Sequence, residues 1–457
     1  MMDYPKHKET GFHNCKDPLV PQLTLLPLFF IIVANTVGSG IFTTSGFIMQ
    51  DIQNPWGMLL CWLIGGLLAL TGALCYGELG AMIPAAGGDY VFLRESFGRR
   101  IAFLSGWVSL WVGFSAPSAA VAIAFGNYVN SSLPIALQGT QIPSALAVII
   151  IILFTWAHAK GILFGVRIQN IMTVIKILLI LLLVGVGLTL GNGSFHHFDV
   201  PLHYSHIFSG QFATSLIFVS FAYSGWNACV YVGSEIKNAG RNIPVSIIVA
   251  TFFVICIYLL LNVVYVYAVH PKEMYGVVEI ASLAAVHLFG EKIGSFFGLV
   301  IAFCLLSALS SMIMLGPRVY YAMARDRLFF KLFQNINQKH HVPSYAIILQ
   351  GGISIAFVLT STFYTLLIYV GFVIAVFSSL TVIGMMMLRS KEPDRPRPYK
   401  TWGYPLTPIL FVIGNLWIVI FSVRNNLTAF IWGLITLAAG VLIYESLEGR
   451  LKSIKIF

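Results

Sequence analysis

Charge is scarce in this 457-residue chain: Asp, Glu, Lys and Arg make up 10% of it, and only 17 residues are acidic. Soluble domains carry about 25% charged residues, so a surface facing water throughout is excluded. With 58% hydrophobic residues and a mean hydropathy of +0.85, most of the surface must face lipid. Cysteine is sparse as well. Five of the 6, Cys61, Cys75, Cys229, Cys256 and Cys304, lie in apolar stretches, and Cys15 lies in the polar N-terminal tail. No CxxC or Cys/His ligand spacing occurs, which argues against a disulfide framework and a zinc site. Single cysteines in apolar helices pack as small hydrophobes. Also missing are a Ser/His/Asp arrangement, a phosphate-binding Gly loop and an acidic pair, so nothing points to an enzyme, and no cofactor or metal is expected. Residues 1–21 are polar, and the first apolar stretch is too long for a signal peptide and lacks a cleavage flank, so it is expected to stay as a spanning helix.

What is present is a series of long apolar runs. A helix needs about 20 apolar residues to cross a bilayer, and twelve segments qualify: 23–49, 56–83, 101–128, 144–159, 166–190, 208–233, 245–269, 293–322, 344–360, 364–388, 405–422 and 427–444. The net charge of +10 could suggest nucleic acid, but the basic residues sit in short clusters between apolar runs and read as a topology signal. With the N-terminus in the cytoplasm, all of the 27 Lys and Arg fall inside except intramembrane Lys176 and the outside Lys272, Lys292 and Arg424. That bias follows the positive-inside rule and places both termini in the cytoplasm of a multi-pass plasma or inner-membrane protein.

Two of these segments are interrupted by short Gly-rich breaks at matching places: Gly38-Ser39-Gly40-Ile41-Phe42, and Ala222-Tyr223-Ser224-Gly225-Trp226-Asn227. An unwound helix leaves backbone N–H and C=O groups unpaired in hydrocarbon, which is tolerable only beside protein or a polar cavity. Paired breaks of this kind are a sequence pointer to a transporter's substrate site. The pattern predicts an all-α integral membrane fold of 12 transmembrane helices: a 5+5 inverted repeat with helices 1 and 6 broken, plus two C-terminal helices. The expected organisation is a cytoplasmic tail at 1–22 and a transporter domain at 23–444. Within it, repeat one spans about 23–190, repeat two about 208–388, and the last two helices about 405–444; a cytoplasmic tail follows at 445–457.

At the first break, half-helix N–H groups favour an anion, so a carboxylate could sit by Gly38, Ser39 and Gly40; small residues also serve close helix packing. At the second, Ser224 and Gly225 offer flexible backbone whose carbonyls could accept from an ammonium group. Phe221 or Trp226 could gate a pocket or simply pack, and Asn227 could bond substrate or a partner helix. Lys176, near the middle of 166–190, is a functional candidate because a charge at that depth is costly. Glu78 is expected to reach an interface or a basic loop, and Glu235 to pair with Arg241 or Lys237 in structure or gating. His196, His197, His203 and His206 share an outside loop and read as solvated rather than metal-bound.

At these residues the chain resembles the amino acid–polyamine–organocation (APC) superfamily, closest to its L-type amino acid transporter and bacterial exchanger branch. The resemblance rests on GSGIF at 38–42, YGELGAMIPAAGGDYVFL at 76–93, QNIMTVIK at 169–176, FAYSGWN at 221–227 and KEPDRPRPYKTWGYP at 391–405. It implies the five-plus-five inverted-repeat fold and an α-amino acid whose carboxylate is held by Ser39, Gly40 and nearby backbone, including Ile41. Its amino group would meet carbonyls near Thr36, Phe221 and Ala222. Phe221 matches the family's aromatic gate, and Lys176 the lysine that stands where sodium-coupled relatives bind a cation. That implies sodium-independent exchange or proton-linked uptake. Ser224 replaces a Gly common in animal L-type members. The loop 129–143 has no Cys, so no disulfide-linked ancillary subunit is expected.

The expected function is therefore secondary transport of α-amino acids by alternating access, with amino acid and membrane lipid as partners, a proton as well if uptake is proton-linked rather than exchange, and no nucleic acid. No Asp or Glu lies near either break in the sequence, which points to neutral side chains. The alternatives are a basic amino acid or polyamine exchanger and a membrane amino acid sensor.

Overall fold

A computed structural model describes residues 21–160, 162–202, 209–337, 342–425 and 427–454. Most of the N-terminal tail, with Cys15, and His203 and His206 lie outside the described residues. Helices dominate. Among the described residues the extended contacts are two isolated bridges, Leu23 with Ile236 and Ala86 with Val232.

The first apolar run splits into α1 (Leu25–Thr36) and α2 (Ser39–Ile52), and α2 ends where Gln53 turns left-handed. Asn54 caps α3 (Pro55–Met82) by accepting from Gly57 N at 2.9 Å, with Pro55 in the first turn, where its missing N–H costs nothing. A short helix α4 (Asp89–Phe97) leads to α5 (Arg99–Val108), which passes through a π-helical turn, Ser109–Ser115, into α6 (Ala116–Ser132). Next come α7 (Ile142–Ala159) and α8 (Ile162–Leu190).

The sixth run, expected as a broken helix over 208–233, is α-helical only before its break. Ser209 accepts from Phe212 N at 3.1 Å and starts α9 (Gly210–Tyr223), but beyond the break the chain forms only 3-10 turns, Ala228–Tyr231 and Gly233–Glu235. The second half continues with α10 (Ala239–Ala268) and α11 (Ile280–Phe289). The eighth run is divided into α12 (Glu291–Leu315) and α13 (Pro317–Arg325), because Pro317 cannot donate to the helix before it. Then follow α14 (Ser344–Thr360), α15 (Phe363–Lys391), α16 (Leu406–Asn425) and α17 (Leu427–Ile454). The last helix runs on through residues expected as tail.

Among the described residues, nine helices are long and apolar enough to cross a membrane, with α1–α2, α5–α6 and α12–α13 each counted as one; α9, α11, α14 and α16 are shorter apolar helices. The broken elements form the centre. Leu28, Ile31, Ile32, Val33 and Ala34 of α1 are fully buried, as is Ile41 of α2, whereas Leu178 of α8 and Ile413 of α16 are exposed on the outer surface. A surface of this kind suits lipid. Four cysteines are buried and Cys256 lies on the exposed face, so packing as a small hydrophobe describes the four only.

Candidate functional site

The centre of the molecule is where α1 and α9 both stop. At the first break Thr36 turns its hydroxyl back to Ile32 O at 2.8 Å, and Gly38 N donates to Thr36 O at 2.8 Å. The first N–H groups of a helix have no intrahelical acceptor. Those of Ser39, Gly40 and Ile41 also bond to no other element among the described residues. Ser39 Oγ, 1% exposed, likewise has no protein partner. The result is a buried patch of donors at a helix N-terminus, suited to an anion.

The carbonyls of the break have partners. Lys176 of α8 is fully buried, and its Nζ donates to Val37 O and, at 3.3 Å, to Ala34 O. Its ammonium thus serves carbonyls that the unwinding of α1 leaves free. The hydroxyl of Tyr258, from α10, lies 2.7 Å from Thr36 O and 2.9 Å from Ala222 O. A hydroxyl has one hydrogen, so it serves one carbonyl at a time. The two breaks touch: a Cβ added at Gly40 would overlap Ala222, and one at Gly225 would overlap Asn35. Gly225 is doubly constrained, because its φ of +102° is a conformation that L side chains rarely adopt.

At the second break Ser224 N donates to Phe221 O at 2.9 Å, and the chain then turns away. Ser224, Gly225, Trp226 and Asn227 line a cavity of about 70 Å³, joined by Asn35 of α1. The π-helical turn contributes Ser109 and Phe114 to the wall; such turns frequently mark functional sites. Thr36, Gly38, Ser39, Gly40, Ile41, Phe221 and Ala222 do not line it, since they pack directly against neighbouring helices. Phe221 is 4% exposed. Trp226 is held edge-on by Tyr76, with ring centroids 4.7 Å apart, and near Phe411.

Two expectations need correction. Glu235 pairs with Arg318 at 3.1 Å, not with Lys237 or Arg241, and both partners are buried. Its carbonyl accepts from Gln22 N and Leu23 N, so it ties the start of α1 to the segment after the second break. Helix packing, not chain proximity, selects that partner. Second, an acidic residue does lie near a break: Asp89, at the start of α4, lines the cavity together with Tyr231. The loop before α4 reaches there because Gly87 N donates to Tyr231 O at 3.1 Å and Ala86 bridges to Val232.

Glu78 meets the basic segment expected of it. It is fully buried, with Arg389 Nε at 2.8 Å, Arg397 Nε at 3.4 Å and Thr401 N at 2.7 Å. His196 is exposed with Asp199 2.8 Å away, while His197 Nδ1 is 2.7 Å from Val266 O, so the first sits in solvent beside a carboxylate and the second is anchored to the backbone. Among the described residues no group of three or more His, Cys, Asp or Glu could hold a metal.

Sequence reasoning missed Asp89, Tyr258, Asn35 and Tyr231. A signal existed for two of them. Tyr258 and Asn262 are polar at a four-residue interval inside an apolar run, and the Gly87-Gly88 pair before Asp89 marks a turn able to fold its carboxylate inward.

A multi-helical membrane protein whose two interrupted helices meet at a buried polar centre is the class that this architecture defines. The chain belongs to the amino acid permease family, whose description matches residues 23–443, and to the L-type branch of the APC superfamily. It is 30% identical to the large neutral amino acids transporter small subunit 2 of Mus musculus, over 93% of this chain and 81% of that protein. It is 29% identical to the Asc-type amino acid transporter 1 of Homo sapiens (93% and 82%), and 28% identical to the b(0,+)-type amino acid transporter 1 of Mus musculus (88% and 82%).

Proposed function

We propose that this protein is a secondary transporter of α-amino acids working by alternating access, as a sodium-independent exchanger or in a proton-linked mode. The observation that carries the reading is the opposed polarity of the touching breaks. Unpartnered N–H groups at Ser39, Gly40 and Ile41 suit a carboxylate, and the carbonyls of Thr36 and Ala222, bridged by one Tyr258 hydroxyl, suit an ammonium group. Unwound carbonyls in such folds also coordinate sodium; here the Lys176 ammonium already serves two of them, which favours independence from sodium. In this reading Phe221 and Trp226 gate the site, and Gly38, Ser224, Gly225 and Asn227 complete it. The chain has twelve spans in two inverted sets of five plus two, both termini are cytoplasmic, and it acts without a disulfide-linked subunit.

The similarity to a large neutral amino acids transporter favours neutral side chains. A second reading, a basic amino acid or polyamine exchanger, is favoured by Asp89 in the cavity. Counterflow in liposomes tests the proposal: labelled amino acid should accumulate against unlabelled internal amino acid equally well in sodium and choline buffers. Absence of counterflow for all twenty amino acids and common amines would sink it, and a pH gradient separates exchange from proton coupling.

A further inference from the structure

We infer that Asp89 is a specificity-determining carboxylate that makes the cavity prefer short α-amino acid side chains ending in an ammonium group over their neutral isosteres. The inference rests on the reading that the touching breaks hold the zwitterion. Three acidic side chains are buried among the described residues, and two of them have guanidinium partners: Glu78 with Arg389 and Arg397, and Glu235 with Arg318. Asp89 has none. Its Oδ2 accepts from Tyr231 Oη at 2.8 Å, and the Thr381 hydroxyl, 3.3 Å from Oδ1, is shared with Phe377 O at 3.0 Å; both are neutral donors.

A buried carboxylate without a cation is costly to keep ionised. Burial accordingly pushes the Asp89 carboxyl up from its ordinary value, and the hydroxyl donors around it offset this in part. Even with the neighbouring Tyr76 hydroxyl taken as a third donor beside Tyr231 and Thr381, one of the carboxylate's roughly four lone-pair sites is unused. The group lines the cavity that Ser224 and Asn227 also line, so its spare capacity is available to an occupant there. Tyr231 links the two regions, its hydroxyl lying 3.5 Å from Asn227 Nδ2 and 2.8 Å from Asp89. The cavity encloses only about 70 Å³, which selects a short chain. A bound ammonium group would supply the missing counter-charge and a charge-assisted hydrogen bond.

The test is a competition assay on the purified full chain against a labelled neutral amino acid. It compares 2,4-diaminobutyrate with norvaline, which differ by an ammonium against a methyl group at one position. Wild type should prefer 2,4-diaminobutyrate by about tenfold or more. In Asp89→Asn the preference, read as the ratio of the two inhibition constants, should collapse to about twofold or less. Asp89→Ser, which keeps a hydroxyl for Tyr231 and Thr381, must show the same collapse and serves if the Asn variant does not fold. No preference in wild type, or a preference that survives both substitutions, overturns the assignment. A wild-type protein that binds no amino acid at all is a different result and defeats the transport reading instead.

Discussion

At the first break the chain leaves its helix for two residues, Val37 and Gly38, and re-enters a helix at Ser39. At the second it leaves at Tyr223 and returns only to 3-10 turns. The first break is closed by neighbours: Lys176 and Tyr258 occupy its carbonyls, and Ala222 sits against Gly40. The second opens on a cavity lined by side chains that differ in size and charge. Backbone polarity is the same whatever the side chain, so the first break is suited to what all α-amino acids share. In the proposed function, the cavity at the second is the part that tells one amino acid from another. In the proposed cycle, holding and choosing are thus separated along the chain.

That division can be broken by experiment, most severely at the first break. Gly40→Val places atoms where Ala222 lies, and should abolish binding of every amino acid; scintillation-proximity binding with several ligands measures it, and retained affinity for any one of them would contradict a shared holding site. Lys176→Met removes a buried ammonium from the Val37 and Ala34 carbonyls. Counterflow should drop by about 100-fold while the purified protein stays monodisperse, and uptake at the wild-type rate with unchanged pH dependence would remove the lysine from the mechanism. Tyr258→Phe keeps the ring against Trp62, whose centroid is 5.3 Å away, and deletes only the hydroxyl. Loss of one bridging hydrogen bond should weaken binding about three- to tenfold for all substrates alike; a loss confined to one substrate would place Tyr258 on the choosing side instead. The mildest change is Ser224→Gly at the cavity wall. The ratio of bulky to small substrates should rise about two- to fivefold with the melting temperature unchanged within about a degree, and a uniform loss across substrates would merge the two regions into one.

Much of this was legible in the amino-acid order, and for identifiable reasons. Scarcity of charge and long apolar runs place helices in lipid whatever their neighbours, and the bounds 344–360 agree with α14 to the residue. Glycine in a spanning run can let the backbone come close to a neighbour, and Gly40 and Gly225 do so, whereas Gly185 and Gly352 face open space. What stayed hidden depends on distance across the fold. The Glu235 side chain meets Arg318 of α13, not the nearer Lys237 or Arg241. The π-helical turn at Ser109–Ser115 left no periodicity signal, since one extra residue in a uniformly apolar helix changes no pattern.

Membrane residence, the course of most of the long apolar helices and the location of the two interruptions were determined by the sequence alone, because each follows from composition and backbone chemistry within a short stretch of chain. Only the tertiary structure decided that Lys176 and Tyr258 serve the freed carbonyls, and that Asp89 comes to the second break. A hydrogen bond needs its partners within about 3 Å, and helix packing alone brings residues so far apart in the chain to that separation.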